Sequence, residues 1–179
     1  MPDPTDPSPT PAPDQQTLEF YQAIFDLART GDAGQLRPLL EHGLSPNLRN
    51  QKGDSLLMLA SYHGHHAAAQ ALLAHGADPE LRNDGGQTPI LGAAFKGDLQ
   101  MVRVLLDHGA DIESSGPAGK TTLMMAAMFG RTDMADLLLE RGADPHARDV
   151  NGLTVADAAR LMGANETAEH LERRLGQAG

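Results

Sequence analysis

A chain of 179 residues has room for one ordinary domain, or one domain and a tail. Its formal charge of −10 argues against nucleic acid as a partner, because Lys and Arg are needed to displace the counterions of phosphate. It has no cysteine, so no disulfide, thiolate metal site or thiol nucleophile, and its 3% of aromatics against 40% of hydrophobic residues requires an aliphatic core.

The first segment, MPDPTDPSPTPAPDQQ, places six prolines and three aspartates in its first 14 residues. Proline fixes φ and removes backbone donors, and nothing here can bury apolar area. A disordered, polyproline-like tail is expected over residues 1–16, as a spacer or as a ligand for a partner's aromatic groove. The start lacks the basic and apolar stretches of a signal peptide, and no apolar run approaches the roughly 20 residues of a membrane span. A cytoplasmic protein with no membrane partner is expected.

From residue 17 an internal repeat takes over. Gly31, Gly64, Gly97, Gly130 and Gly163 lie 33 residues apart, as do Gly43, Gly76, Gly109 and Gly142, and Gly53, Gly86, Gly119 and Gly152. The second series follows helical runs such as MVRVLLDHG, where glycine takes the left-handed conformation just past a helix end. The first lies between two short helices and the third in the turn that joins one unit to the next. Each unit therefore reads turn, helix, turn, helix, connector. Leu39-Leu40, Leu72-Leu73, Leu105-Leu106 and Leu138-Leu139 keep the same period, as do Ala60, Ala93, Ala126 and Ala159. One such unit cannot bury its apolar face alone; stacked units share a continuous core.

The stretch QTPILGAAFKGDLQMVRVLLDHGAD, residues 87–111, resembles an ankyrin repeat, whose 33-residue signature includes Thr-Pro-Leu-His-x-Ala. The resemblance covers about residues 17–175: an N-terminal cap over 17–49, full units over 50–82, 83–115 and 116–148, and a C-terminal cap over 149–175, with 176–179 as a flexible end. It implies an all-α solenoid of stacked helix-turn-helix units with short β-hairpin-like turns. Thr88-Pro89 is intact, whereas the other units read Ser55-Leu56, Thr121-Thr122 and Thr154-Val155. The usual histidine is Met58, Leu91, Met124 or Asp157, changes expected to weaken local hydrogen bonding. Pro38 falls inside the second helix of the first cap and should shorten or kink it. The caps look like caps: LEFYQAIFDLA has Phe20 in place of the turn glycine and carries three of the chain's six aromatics, and ETAEHLERRL is charged on one side.

Several motifs suggest chemistry and then fail on register. Gly119-Lys120-Thr121 resembles the end of a phosphate-binding loop, but the first glycine of that motif should stand at Ser114, and no strand precedes it. In register it is the turn and helix start of Gly86-Gln87-Thr88. His42, His75 and His108 recur near second-helix ends, where imidazole suits the negative end of the helix dipole. His63, His65 and His66 flank Gly64, and a surface metal site there is the less favoured reading. Asp78, Asp111 and Asp144 recur in Gly-Ala-Asp, as a connector device rather than a catalytic pair. Nothing points to an enzyme or a cofactor.

In the ankyrin fold the inter-unit turns and first-helix ends line a concave face that binds partners. The resemblance places there Tyr62, His63, Phe95, Lys96, Met128, Phe129, Leu161 and Met162, with Lys52, Asp54, Asp84, Gln87 and Lys120 as a polar rim. Aromatics and methionine are enriched at interface cores. The expectation is a monomeric, non-catalytic protein-binding module with a partner of unknown identity. Analogy within the family offers an accessory factor of a stress-response enzyme such as catalase. A nucleotide site at Lys120 and Thr121, or a metal site at the three histidines, is the remote alternative.

Overall fold

The computed structural model describes residues 14–176. The expected tail therefore lies outside the described residues as far as position 13, as do residues 177–179. Among the described residues ten helices follow in order: α1 (Gln15–Thr30), α2 (Ala33–Glu41), α3 (Leu56–Tyr62), α4 (His66–Ala74), α5 (Pro89–Lys96), α6 (Leu99–Asp107), α7 (Thr122–Met128), α8 (Thr132–Glu140), α9 (Val155–Leu161) and α10 (Asn165–Gly176). Among the described residues there is no sheet. Isolated antiparallel bridges between Arg49 and Ser55, Ser115 and Thr121, and Arg148 and Thr154 close finger-like connectors.

The helix starts follow from their capping residues. Ser55, Thr121 and Thr154 accept the N–H groups of Met58, Met124 and Asp157 at 3.0, 3.3 and 3.1 Å. The departures from Thr-Pro therefore keep the cap rather than lose it. Asp157, where the family has histidine, accepts the Thr154 N–H and completes a capping box. Thr88 instead shares a 2.8 Å hydroxyl–hydroxyl bond with buried Ser114, and Pro89 at the first helical position needs no donor partner. α1 begins at Gln15, two residues earlier than the sequence suggests, because Asp14 accepts the Thr17 N–H at 2.8 Å. Pro38 does not shorten α2: it has the same nine residues as α4, α6 and α8, and the His42 N–H still reaches the Pro38 carbonyl.

All thirteen glycines of the three series have positive φ, from 66° to 94°. The turns they make reverse the chain so that α1, α3, α5, α7 and α9 pack in succession as an inner layer, while α2, α4 and α6 stack behind them. Residues Leu56 to Ser61 of α3 are all buried, and Leu72, Leu105 and Leu138 are fully buried on the outer helices. Each such leucine contributes about 2–3 kcal/mol in area removed from water.

Polar bonds hold the register between units. Asn47, Glu80 and Glu113 accept the backbone N–H groups of Asp78, Asp111 and Asp144, each 31 residues on, at 2.8, 2.9 and 2.7 Å. Those aspartates use their own carboxylates to accept the N–H two residues later. A second ladder runs through the fingers: Arg49 donates to the Gly53 and Arg82 carbonyls, and Arg82 to those of Gly86 and Ser115. Ser115 stands where the next arginine would be.

Candidate partner-binding groove

The first helix breaks the repeat. The inner helices α3, α5, α7 and α9 have seven or eight residues, whereas α1 has sixteen. Ala23 stands 33 residues ahead of Leu56, the first residue of α3, so residues 15–22 are a two-turn extension about 12 Å long. It rises where the other units have a finger, opposite the finger over residues 49–55. Between them opens a groove of about 960 Å³.

One wall is apolar: Leu18, Tyr21 and Phe25 of α1, with Met58, Leu59 and Tyr62 of α3. The other is the polar finger, with Arg49, Asn50, Gln51, Lys52 and Asp54. Of the expected residues, Lys52, Asp54, Gln87, Tyr62 and His63 line the groove. Asp54 is not a free rim charge, since the Asn83 and Asn50 side-chain amides donate to it at 2.9 and 3.3 Å. Burial, and then the positive charges of His65, Arg29 and Lys96, hold the His63 imidazole below its ordinary pKa, favouring the neutral ring.

The remaining expected residues divide three ways. Lys96 places its ammonium 5.0 Å from the centre of the Tyr62 ring, a cation–π arrangement. Phe95 meets Phe129 edge to face, centroids 5.1 Å apart, and neither lines the groove. Phe129 and Met128 are only partly exposed, each half-covered at the end of α7, whereas Phe95 is exposed. Leu161 and Met162 are exposed but lie at the last inner helix, away from the groove lining. Asp84 stands outside the lining, 3.6 Å from Arg49. Lys120 pairs with buried Asp149 rather than forming a free rim.

Sequence reasoning missed the α1 wall. Leu18, Phe20 and Tyr21 are 52, 51 and 40% exposed, too much for a cap that serves only to close a core. The signal was three aromatics gathered in one terminal helix of an aromatic-poor chain.

The rival chemistries have structural occupants. Lys120 faces Asp149 at 3.6 Å, Thr121 caps α7, and Ser114 is buried against Thr88. His65 donates to the Arg29 carbonyl at 2.8 Å, while His66 turns to Asp98 at 2.9 Å, so the three histidines do not converge. Among the described residues no three His, Asp or Glu side chains gather as a metal site. His42, His75 and His108 each donate from Nδ1 to the carbonyl four residues back, at 2.6, 2.8 and 2.8 Å, which satisfies a helix end. Among the described residues no helix is long and apolar enough to cross a membrane.

A stacked series of helical hairpins with projecting fingers and a concave groove defines a repeat solenoid of the ankyrin class. The model of the family "Ankyrin repeats (3 copies)" matches residues 24–116 and 72–149, and the chain belongs to that family. An ankyrin repeat protein of Pseudomonas aeruginosa is 64% identical over 58 residues, 32% of this chain and 34% of the relative. The chain thus matches about a third of that bacterial relative's length. Ankyrin repeats generally mediate protein–protein interaction.

Proposed function

We propose that this chain is a non-catalytic module that holds a partner protein in the groove between α1 and the finger over residues 49–55. The observation that carries this reading is exposed apolar area inside a groove: Leu18, Tyr21 and Tyr62 line it and are 39–52% exposed. Contiguous exposed apolar area on a soluble fold marks an interaction site. The stacked scaffold fixes these side chains in advance, so little ordering entropy is lost on association. The polar finger supplies a rim whose donors and acceptors would orient the partner.

Quantitative retention from the extract of the producing cells tests this. The full chain is compared with a Tyr21→Ser/Tyr62→Ser variant and with a Leu161→Ser/Met162→Ser variant, both confirmed folded by circular dichroism. A protein retained by the parent and the second variant but lost from the first supports the groove. Retention equal across all three removes it.

A further inference from the structure

The two-turn extension of α1, residues 15–22, stands without support from the repeats. All of its residues are exposed except Thr17, which is partly covered. Helices this short gain their stability by burying an apolar face, not from their own hydrogen bonds. Here the apolar residues point in two directions. Leu18 and Tyr21, three residues apart, line the groove. Phe20, two residues from Leu18, lies about 200° round the helix. It is 51% exposed, stands outside the groove lining, and meets only the edge of the Tyr21 ring among its aromatic neighbours.

A helix that merely walls its own groove needs one apolar side. A helix that also fills a second groove needs two, and the dimensions agree with that use. Two turns of helix, a cylinder about 10 Å across and 12 Å long, occupy about 900 Å³. The groove holds about 960 Å³. Its floor is apolar, with Met58, Leu59 and Tyr62, and its far wall is the finger. Arg49 of that wall is held by the Gly53 and Arg82 carbonyls, whereas Lys52 is exposed at the turn of the finger. An incoming helix with Leu18 and Tyr21 against the resident extension would turn Phe20 toward this wall. There the Lys52 ammonium can cover the ring face.

We propose that the groove is occupied by the α1 extension of a second copy of this chain, inserted antiparallel to the resident extension. The order across the pair is finger, incoming extension, resident extension, finger of the second copy. That order is unchanged by a two-fold axis, so both grooves fill together and association closes at a dimer. Leu18 of each copy meets Tyr21 of the other, and Phe20 of each lies under Lys52 of the other. This rests on the groove being a docking surface and names its partner. Phe20 separates the two readings, because it is no part of the groove that a different protein would enter.

Sedimentation equilibrium of the full chain over a wide concentration range tests it. The parent should pass from monomer to dimer and no further. Phe20→Ser should weaken the dimer about tenfold or more, since each lost contact is made twice. Leu161→Ser/Met162→Ser should leave it unchanged. Lys52→Glu should weaken it as well, which distinguishes the finger contact from general loss of apolar area. A parent that stays monomeric throughout would overturn the proposal, as would a dimer indifferent to Phe20→Ser. Growth beyond two copies would mean a head-to-tail contact and equally overturn it. A monomer whose Phe20→Ser form still retains a different protein from extract would overturn the self-pairing while leaving the binding groove in place.

Discussion

The side chain of Asp149 is fully buried and its Oδ2 receives no hydrogen bond; the Lys120 ammonium, 3.6 Å away, is its counter-charge. Burial pushes the carboxyl pKa up, but the N–H groups of Leu153 and Asn151 together with Lys120 outweigh it and hold the group below its ordinary value. A carboxylate depressed in the folded state adds stability above its unfolded pKa, near 3.9, and loses it as pH falls through the lower folded value. Lys120→Met raises that folded value. Acid unfolding followed by circular dichroism should then begin at higher pH than in the parent chain. An unchanged acid midpoint would show that Lys120 is not the counter-ion.

The arginine ladder through the fingers has a gap that substitution can fill. Arg49 and Arg82 each bridge the carbonyl four residues on and the one 33 residues on. An arginine in place of Ser115 reaches the Gly119 and Arg148 carbonyls by the same register. Ser115→Arg should stabilise the chain by about 1 kcal/mol, the scale of a charge-assisted bond at a partly exposed site. The urea midpoint should rise with no change in slope.

Two glycines separate conformational strain from crowding. Gly109 has φ of 88° and open space where a Cβ would stand. Gly119, with φ of 69°, would place a Cβ 3.2 Å from both the Val150 backbone nitrogen and its Cγ1. Gly109→Ala should cost about 1–2 kcal/mol, the left-handed penalty for a residue with a side chain. Gly119→Ala should cost more, because the neighbouring finger must also shift. Thermal unfolding of both variants decides the order.

Phe95 and Phe129 share an edge-to-face contact but differ in exposure. Phe95→Ala forfeits about 0.5–1.5 kcal/mol of pair energy and little else. Phe129→Ala also uncovers the end of α7 and should cost more. If denaturant titration gives equal losses, Phe129 is a surface residue like its neighbour.

The fold was readable because its devices recur. A glycine required by positive φ at one turn is required again 33 residues later, so composition noise cannot imitate it. The same logic disposed of Gly119-Lys120-Thr121, whose residues serve as turn, counter-ion and cap. The site was only partly readable for the converse reason. Tyr62 and His63 could be placed by register, but Leu18, Tyr21 and Phe25 belong to the helix whose extension has no counterpart in the repeat. Periodicity says nothing about such a segment; only its unusual share of aromatics did. Lys120 and Asp54 looked like free rim charges because their partners, Asp149 and Asn83, lie 29 residues away in the next finger, a contact that a single-unit reading does not register.

Hydrogen exchange of the full chain, alone and saturated with its retained partner, tests the central claim most directly. The account predicts slowed exchange in α1 from Leu18 to Arg29, in the finger over residues 49–55 and at Tyr62 and His63, with α4, α6 and α8 unchanged. Protection confined to those outer helices would contradict it and move the binding surface to the opposite face.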